Sequence, residues 1–447
     1  MKMKIDLAKN FEEMFGGLTT YTATVEANRC LYCYDAPCIQ ACPTSINIPS
    51  FIKKIATKNM KGSARVIMES NPVGASCARV CPTIELCEGA CVLNSEEKPI
   101  QIGHLQRYAT DWLRESNVNL FTPQPANGKK IAIIGSGPAG LSAARELALL
   151  GYGVTIYEAD EKAGGLNYYG IVSFRLPQDV VEWEVQQVQK LGVEIKTSTK
   201  IGEDVLVDDL LANFDRIIVA VGMGKVPMLG IEGENLEGVY DAIDFVKESK
   251  ATFTDKVQGK KVVVIGAGNT AIDAATCSVR LNAEKVQIVY RRTSKEMTAY
   301  DFEYDFAKQD GVEFRWLSLP KRIIGDENGK VIGMECMKME LTGTENGKGT
   351  LTEIPGSEFV IETDAVIRAI GQSKHSELVE HLGLANTRGV IDVDMNSLKT
   401  SNPKIYACGD VIYGNGYGEA TVVSAAQQGK DSAYAIHNEL NVTSDIA

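Results

Sequence analysis

At roughly 150 residues per domain, a chain of 447 residues has room for about three domains, and its 44% hydrophobic and 23% charged residues suit a folded soluble enzyme rather than a disordered chain. With 46 Lys and Arg against 58 Asp and Glu, the formal charge of −12 repels phosphate backbones and argues against nucleic-acid binding. Apolar runs such as Ile131–Ile134 and Val262–Ile265 are too short to span a bilayer, and the start Met1-Lys-Met-Lys has no signal-peptide core, so a cytoplasmic location is expected.

Residues 1–120 read as short amphipathic helices, as in Phe51–Met68, where Ile55, Ala64 and Ile67 recur at helical spacing. Eight of the eleven cysteines lie in this region: Cys30, Cys33, Cys38, Cys42, Cys77, Cys81, Cys87 and Cys91. In a cytosolic chain so dense a block binds metal more often than it forms disulfides. Its runs, Cys30-x2-Cys33-x4-Cys38-x3-Cys42-Pro43, Cys77-x3-Cys81-Pro82 and Cys87-x3-Cys91, suit cubane iron–sulfur clusters, with a pair of zinc sites as the competing reading. Phe121–Gly128, with two prolines and a glycine, is a linker. The pattern then turns to βαβ: strand Lys130–Ile134, helix Ala139–Leu150, strand Val154–Tyr157. It recurs at Lys261–Ile265, Gly266–Leu281 and Lys285–Tyr290. The polar stretch Thr342–Thr350 reads as a hairpin tip.

Gly135-Ser136-Gly137-Pro138-Ala139-Gly140 follows the first strand, and its glycines let helix N-terminal amides approach a pyrophosphate. Glu158 ends the next strand, where a carboxylate accepts hydrogen bonds from a ribose. The second fingerprint, Gly266-Ala267-Gly268-Asn269-Thr270-Ala271, has no such acid; Arg291 and Arg292 stand there and suit a 2′-phosphate better than a bare diol. Near the C-terminus, Tyr406-Ala-Cys408-Gly409-Asp410 resembles the second flavin motif of two-dinucleotide-domain flavoproteins, while Val219–Gly222 and Ala369–Gly371 look like their crossover segments. The resemblance implies an α/β fold in which one Rossmann-like nucleotide-binding domain is inserted into another. It also implies that Asp410 bonds the ribityl chain of FAD held at Gly135–Gly140. The disulfide-reducing mechanism of that superfamily is not expected, because Cys277, Cys336 and Cys408 form no close pair in sequence, and Cys408 reads as a small buried residue.

The arrangement Cys30-Leu-Tyr-Cys33-Tyr-Asp-Ala-Pro-Cys38, Cys81-Pro-Thr-Ile-Glu-Leu-Cys87, Ile102-Gly-His-Leu-Gln106 and Phe174-Arg175-Leu176-Pro177 resembles the flavin/iron–sulfur half of dihydropyrimidine dehydrogenases and, beside it, glutamate synthase small subunits. The resemblance covers nearly the whole chain. It implies an N-terminal α-helical iron–sulfur domain over 1–125, an FAD domain over 126–227 and 372–447, and an NAD(P) domain over 228–371. One [4Fe–4S] cluster would be held by Cys30, Cys33, Cys38 and Cys91, the other by Cys42, Cys81, Cys87 and the amide oxygen of Gln106; counting alone would give the eighth place to Cys77. FAD would be held by Gly135, Ser136, Gly137, Ala139, Gly140, Glu158, Leu166, Arg175, Gly409, Asp410 and Thr421. NADP(H) or NAD(H) would be held by Gly266, Ala267, Gly268, Asn269, Thr270, Arg291 and Arg292.

The expected function is electron input. Electrons from NAD(P)H pass through FAD and two clusters to a partner FMN/iron–sulfur subunit that reduces uracil or thymine to dihydropyrimidines, or the reverse, since the sequence ends soon after its flavin motif without about 250 residues for a (β/α)8 barrel. The alternatives are a glutamate synthase small subunit and a non-enzymatic zinc and nucleotide sensor. Two departures from the mammalian pattern stand out, Thr298 in place of an arginine and an added Gly414–Gly418 loop.

Overall fold

Runs of β-branched residues build two parallel sheets on one plan. In the computed structural model, which describes residues 7–342, 349–414 and 420–442, Lys130–Ile134 is the central strand of a five-stranded sheet. Gly153–Tyr157 and Glu194–Lys196 lie on one side of it, Arg216–Val219 and Ile405–Ala407 on the other. Every pairing is parallel. Lys261–Ile265 takes the same central place in a second five-stranded parallel sheet, between Lys285–Val289 and Glu313–Arg315 on one side and Ala365–Arg368 and Val239–Asp241 on the other. Both central strands are apolar after their first residue and buried there, as a sheet covered on both faces requires.

The chain divides into two compact units. One holds Gly224–Ser373 with Tyr169–Phe174 and the N-terminal residues up to Met14; the other holds Phe15–Tyr168, Arg175–Met223 and the chain from Lys374 onward. Because the last strand of the first sheet, Ile405–Ala407, comes after Gly224–Ser373, the second nucleotide-binding fold is inserted into the first. Within the inserted unit, two distant segments are fastened to the sheet domain. Lys250 donates to the Ile171 carbonyl at 2.7 Å, and Met14 N–H to the Phe174 carbonyl at 2.8 Å. The Phe174 ring is fully buried beneath the Arg280 guanidinium, 4.1 Å from its centroid. The same unit carries an antiparallel sheet whose strands Val331–Thr342 and Thr350–Glu353 pair in register up to Thr342 and Thr350. The hairpin tip expected between them lies outside the described residues, as does most of the Gly414–Gly418 segment.

In the other unit, five helices surround the cysteine block: Thr20–Arg29, Ile48–Ala56, Met60–Ser70, Gly74–Val80 and Ile102–Ser116. The stretch Phe51–Met68 is two helices, not one. Lys58 adopts φ 61°, and the Asn59 side chain caps a new start by accepting from Gly62 N–H at 3.0 Å. The apolar spacing survives the break because the two helices pack on each other, with Phe51, Ile52, Ile55, Ala64 and Ile67 in one core. All eleven cysteines are free thiols, and no helix among the described residues is long and apolar enough to cross a membrane.

Candidate functional site

Gly135 (φ 102°) leaves the first central strand so tightly that an added Cβ would lie 2.5 Å from the Ala220 carbonyl oxygen. Gly137 then caps the Pro138–Leu149 helix with no side-chain hydrogen bond, and the space where its Cβ would stand is open for 4 Å. Free N-terminal amides beside an open cradle fit a pyrophosphate. Ser136 is fully buried; its amide donates to Glu158 Oε2 at 3.0 Å and its hydroxyl to the same oxygen, while Gly164 N–H donates to that hydroxyl at 3.0 Å. Among the described residues Glu158 Oε1 accepts only from Asp160 N–H, at 2.9 Å, which leaves a lone pair that suits a ribose hydroxyl. Leu166 opens the short Leu166–Tyr169 helix and Arg175 lies in the following turn, both half-buried.

The decisive long-range feature is the return of the C-terminal motif. A Cβ on Gly409 (φ 78°) would come within 3.0 Å of Ala139 Cβ, and one on Gly429 would strike the Ala139 carbonyl at 2.1 Å. Residues 270 positions apart thus meet at the first turn of the Pro138–Leu149 helix. Gly409 N–H donates to Gln428 Oε1 at 2.6 Å. Thr421 caps the Val422–Val442 helix, accepting from Ser424 N–H at 3.2 Å. Burial lifts the Asp410 carboxyl above its ordinary range, opposed by the Lys374 ammonium. Lys374 was not singled out in the sequence, where no motif marks it.

The second fingerprint repeats this geometry within the inserted unit. A Cβ on Gly266 (φ 127°) would lie 2.1 Å from the Ala369 carbonyl, as that on Gly135 meets Ala220. Gly268 caps the Asn269–Arg280 helix, again without a side-chain bond, so Asn269 and Thr270 form its first turn. The Ala267 carbonyl accepts from Thr298 and Ala299 N–H at 3.2 and 3.1 Å, which lays Thr298 over Gly268. Arg291 is exposed and Arg292 half-buried at the end of the Lys285–Val289 strand. Among the described residues neither guanidinium has an ion-pair partner within 4.0 Å, although Arg292 acts electrostatically on Glu296.

The thiols gather in two groups. Cys30, Cys33, Cys38 and Cys91 line one apolar pocket with Ile48, Ile52 and Ile102. Burial and the neighbouring Cys30 and Cys91 push the Cys38 thiol up to about 11. Cys42 and Cys87 stand with Cys81, whose thiol is raised first by a hydrogen bond with Cys77 and then by burial. Protonated thiols are the expected state of an apolar pocket without its cation, and a bound cluster reverses it. No three His, Cys, Asp or Glu side chains among the described residues close around a single ion. One tetrahedral zinc would draw its sulfurs to about 2.3 Å from one point, whereas a cubane spreads its ligands over four corners. The apolar four-thiol cavity fits the latter.

Gln106, 8% exposed, donates from Nε2 to the Gly74 carbonyl at 2.7 Å, and its oxygen accepts no hydrogen bond among the described residues. Cys77 is fully enclosed in the apolar core, accepts from Asn71 Nδ2 at 3.2 Å and adjoins Cys81. Of the two candidates for the eighth ligand, Cys77 stands beside Cys81, while Gln106 is fixed to Gly74 at the start of the helix that carries Cys77. Cys277, Cys336 and Cys408 fall in three separate apolar cores, each pushed up to about 12 by burial, so none is a ready thiolate.

Two nucleotide cradles and two thiol groups define a nicotinamide-dependent flavin and iron–sulfur oxidoreductase. Residues 7–118 match the family described as dihydropyrimidine dehydrogenase domain II, 4Fe-4S cluster, and residues 129–429 match pyridine nucleotide-disulphide oxidoreductase. The chain belongs to the pyridine nucleotide-disulphide oxidoreductase family, in its form preceded by a 4Fe-4S domain, and its cofactors are FAD, [4Fe–4S] iron and a nicotinamide nucleotide. It is 34% identical to the NAD-dependent dihydropyrimidine dehydrogenase subunit PreT homolog of Salmonella typhi, over 96% of this chain and 97% of that one. It is also 34% identical to the glutamate synthase [NADPH] small chain of Escherichia coli, over 97% and 94%. Against the NADP(+)-dependent formate dehydrogenase subunit beta of Moorella thermoacetica it is again 34% identical, over 91% of this chain, but it spans only 60% of that relative's length. Among solved structures, Mycobacterium tuberculosis FprA in complex with NADPH shares the fold at TM-score 0.59 and 20% identity, over 72% of this chain and 86% of that one. Thioredoxin reductase of T. acidophilum shares it at 0.55 and 22%, over 70% and 99%.

Proposed function

We propose that the chain is the cytoplasmic electron-input subunit of a two-component oxidoreductase, taking electrons from NADPH in preference to NADH and passing them to a partner FMN/iron–sulfur subunit that reduces uracil or thymine. The observation that carries the reading is the seating of Gly409 on Ala139 within the same compact unit as both thiol groups. Bound FAD supplies the exchange between a two-electron nicotinamide and one-electron clusters. The residues around it do the positioning. The free amides after Gly137 hold the pyrophosphate, Glu158 and Asp410 accept from the two polyols, and Leu166, Arg175 and Thr421 complete the cradle. Cys30, Cys33, Cys38 and Cys91 hold the cluster in the apolar cavity, and Cys42, Cys81, Cys87 and Gln106 hold the other. The free thiols suit a reducing compartment.

The NADPH preference rests on Arg291 and Arg292, free of ion pairs among the described residues where an NAD site would place an acid. Replacing both with Ala should lower the kcat/KM ratio of NADPH to NADH about tenfold or more; an unchanged ratio would refute the assignment. The glutamate synthase reading stands beside this one because that relative matches equally well end to end. Pull-down of the tagged native protein separates them. A co-purifying flavoprotein that reduces uracil supports the first, and a very large amidotransferase supports the second. Zinc without acid-labile sulfide in anaerobically purified protein would overturn both.

A further inference from the structure

The first peptide unit of the Gly74–Val80 helix is held from both of its polar ends. Its carbonyl, on Gly74, accepts from Gln106 Nε2 at 2.7 Å, and its N–H, on Ala75, donates to Glu184 Oε1 at 2.8 Å. Glu184 also accepts from Ser76 N–H at 2.9 Å and, on its other oxygen, from the Ser76 hydroxyl. Gly74 is pressed on Ile67, where an added Cβ would lie 2.8 Å from Ile67 Cγ2. At its far end the helix is fastened to the helix of Gln106 by Arg79, which donates to both Asp111 oxygens at 2.8 and 3.0 Å. It is capped there by Cys81, whose N–H donates to the Cys77 carbonyl at 3.0 Å. A carbonyl only accepts, so Gln106 must turn its NH2 to Gly74 and its oxygen away. That oxygen has no donor among the described residues, on a side chain buried to 8% exposure. A charged acceptor on a peptide N–H polarises the peptide and strengthens the bond its carbonyl accepts.

We propose that Glu184 is a positioning residue for the cluster of Cys42, Cys81 and Cys87: through the Gly74–Ala75 peptide it fixes the Gln106 amide with its oxygen free to ligate iron. The proposal rests on the reading of Gln106 as the eighth cluster ligand. Glu184 touches no cysteine in this role. It acts on the amide through one shared peptide, from the Gln178–Gln189 helix that follows Arg175 in the chain.

The test follows the reduction of each cluster by electron paramagnetic resonance in redox titrations of the anaerobically purified holoprotein. The variants are Glu184→Met, Glu184→Gln, Gln106→Glu and the two double variants with Gln106→Glu, which keeps an oxygen for iron but loses the donor to Gly74. FAD content and the potential of the other cluster check folding. Gln106→Glu and Glu184→Met should move one and the same couple by about tenfold or more in its reduction equilibrium, about 59 mV for one electron. Glu184→Gln keeps an acceptor for the two amides and should move it less. In the Gln106→Glu background neither Glu184 change should add to the shift, since Glu184 acts through Gln106. An unmoved couple in Glu184→Met beside a moved one in Gln106→Glu would overturn the role of Glu184. Additive shifts in the double variants, or movement of both couples with FAD retained, would do the same. If Glu184→Met loses FAD or both clusters, Glu184→Gln decides in its place: a shift that vanishes in the Gln106→Glu background supports the role, and no shift or an additive one overturns it. An unmoved couple in Gln106→Glu would instead overturn the reading of Gln106 as a ligand.

Discussion

Glu184 illustrates how one buried side chain couples the iron–sulfur helices to the flavin sheet. It is 1% exposed, accepts from Ala75 and Ser76 N–H at 2.8 and 2.9 Å, and accepts also from the Ser76 hydroxyl. Burial nevertheless raises its carboxyl from 4.5 to about 7. An acid whose folded pKa lies above its unfolded one costs nothing while protonated in both states, and stability falls as pH rises from 4.5 to 7. The full loss is about 3 kcal/mol above pH 7. Glu184→Gln keeps an acceptor and removes the charge, so its denaturation midpoint should differ less between pH 5 and pH 8 than the parent's; an equal difference would exclude Glu184 as the source. The eighth cluster ligand is decided at the same scale. Cys77→Ala should leave iron near eight per chain, on the inference of two four-iron clusters, whereas Gln106→Leu should destabilise one cluster or shift its potential. Loss of a cluster in Cys77→Ala alone would exchange the two roles.

Among the elements, the crossing of the Pro138–Leu149 and Val422–Val442 helices has little tolerance. Gly429 touches the Ala139 carbonyl at 2.1 Å and the Ala143 amide nitrogen at 3.0 Å, measured from where its Cβ would stand. Backbone on the far side cannot turn away as a side chain can. Gly429→Ala must therefore push the helices apart at the point where Gly409 meets Ala139. A destabilisation of about 1–3 kcal/mol is expected from overpacking, with weaker FAD retention; a variant that melts and binds FAD like the parent would show that the crossing has slack. Helix breaks follow equally local rules. Periodicity alone joined Phe51 to Met68, but Asn59 followed three residues later by Gly62 is a capping signal that outweighs it. A Cβ at position 62 would lie 2.7 Å from the Asn59 side chain, so a larger residue there would make the cap shift.

At the scale of the molecule, the proposed function hands the electrons to a partner. The purified polypeptide should oxidise NAD(P)H with artificial one-electron acceptors and show no uracil-dependent NAD(P)H oxidation. Steady-state assays with and without uracil test this, and appreciable uracil-dependent turnover by the polypeptide would place the base-reducing site on it. The two sheets share one strand plan, and the same device closes the turn in each, a glycine pressed on the carbonyl of a crossover alanine, Ala220 or Ala369. That repetition is legible in the residues themselves, since both crossovers and both fingerprints carry short, local signatures.

What was readable along the chain was whatever short-range physics dictates. The strand Lys130–Ile134, the glycine turns, the caps and the cysteine runs each depend on a few neighbouring residues, so spacing and residue type suffice to place them. Pairings over long separations carry no such signature. Nothing near Ser76 announces Glu184, and nothing near Met14 announces Phe174. Such contacts arise when the packed core brings distant backbone together and a buried charge or donor takes the partner within reach. The chemistry of each group is local, but the company it keeps is set by the fold.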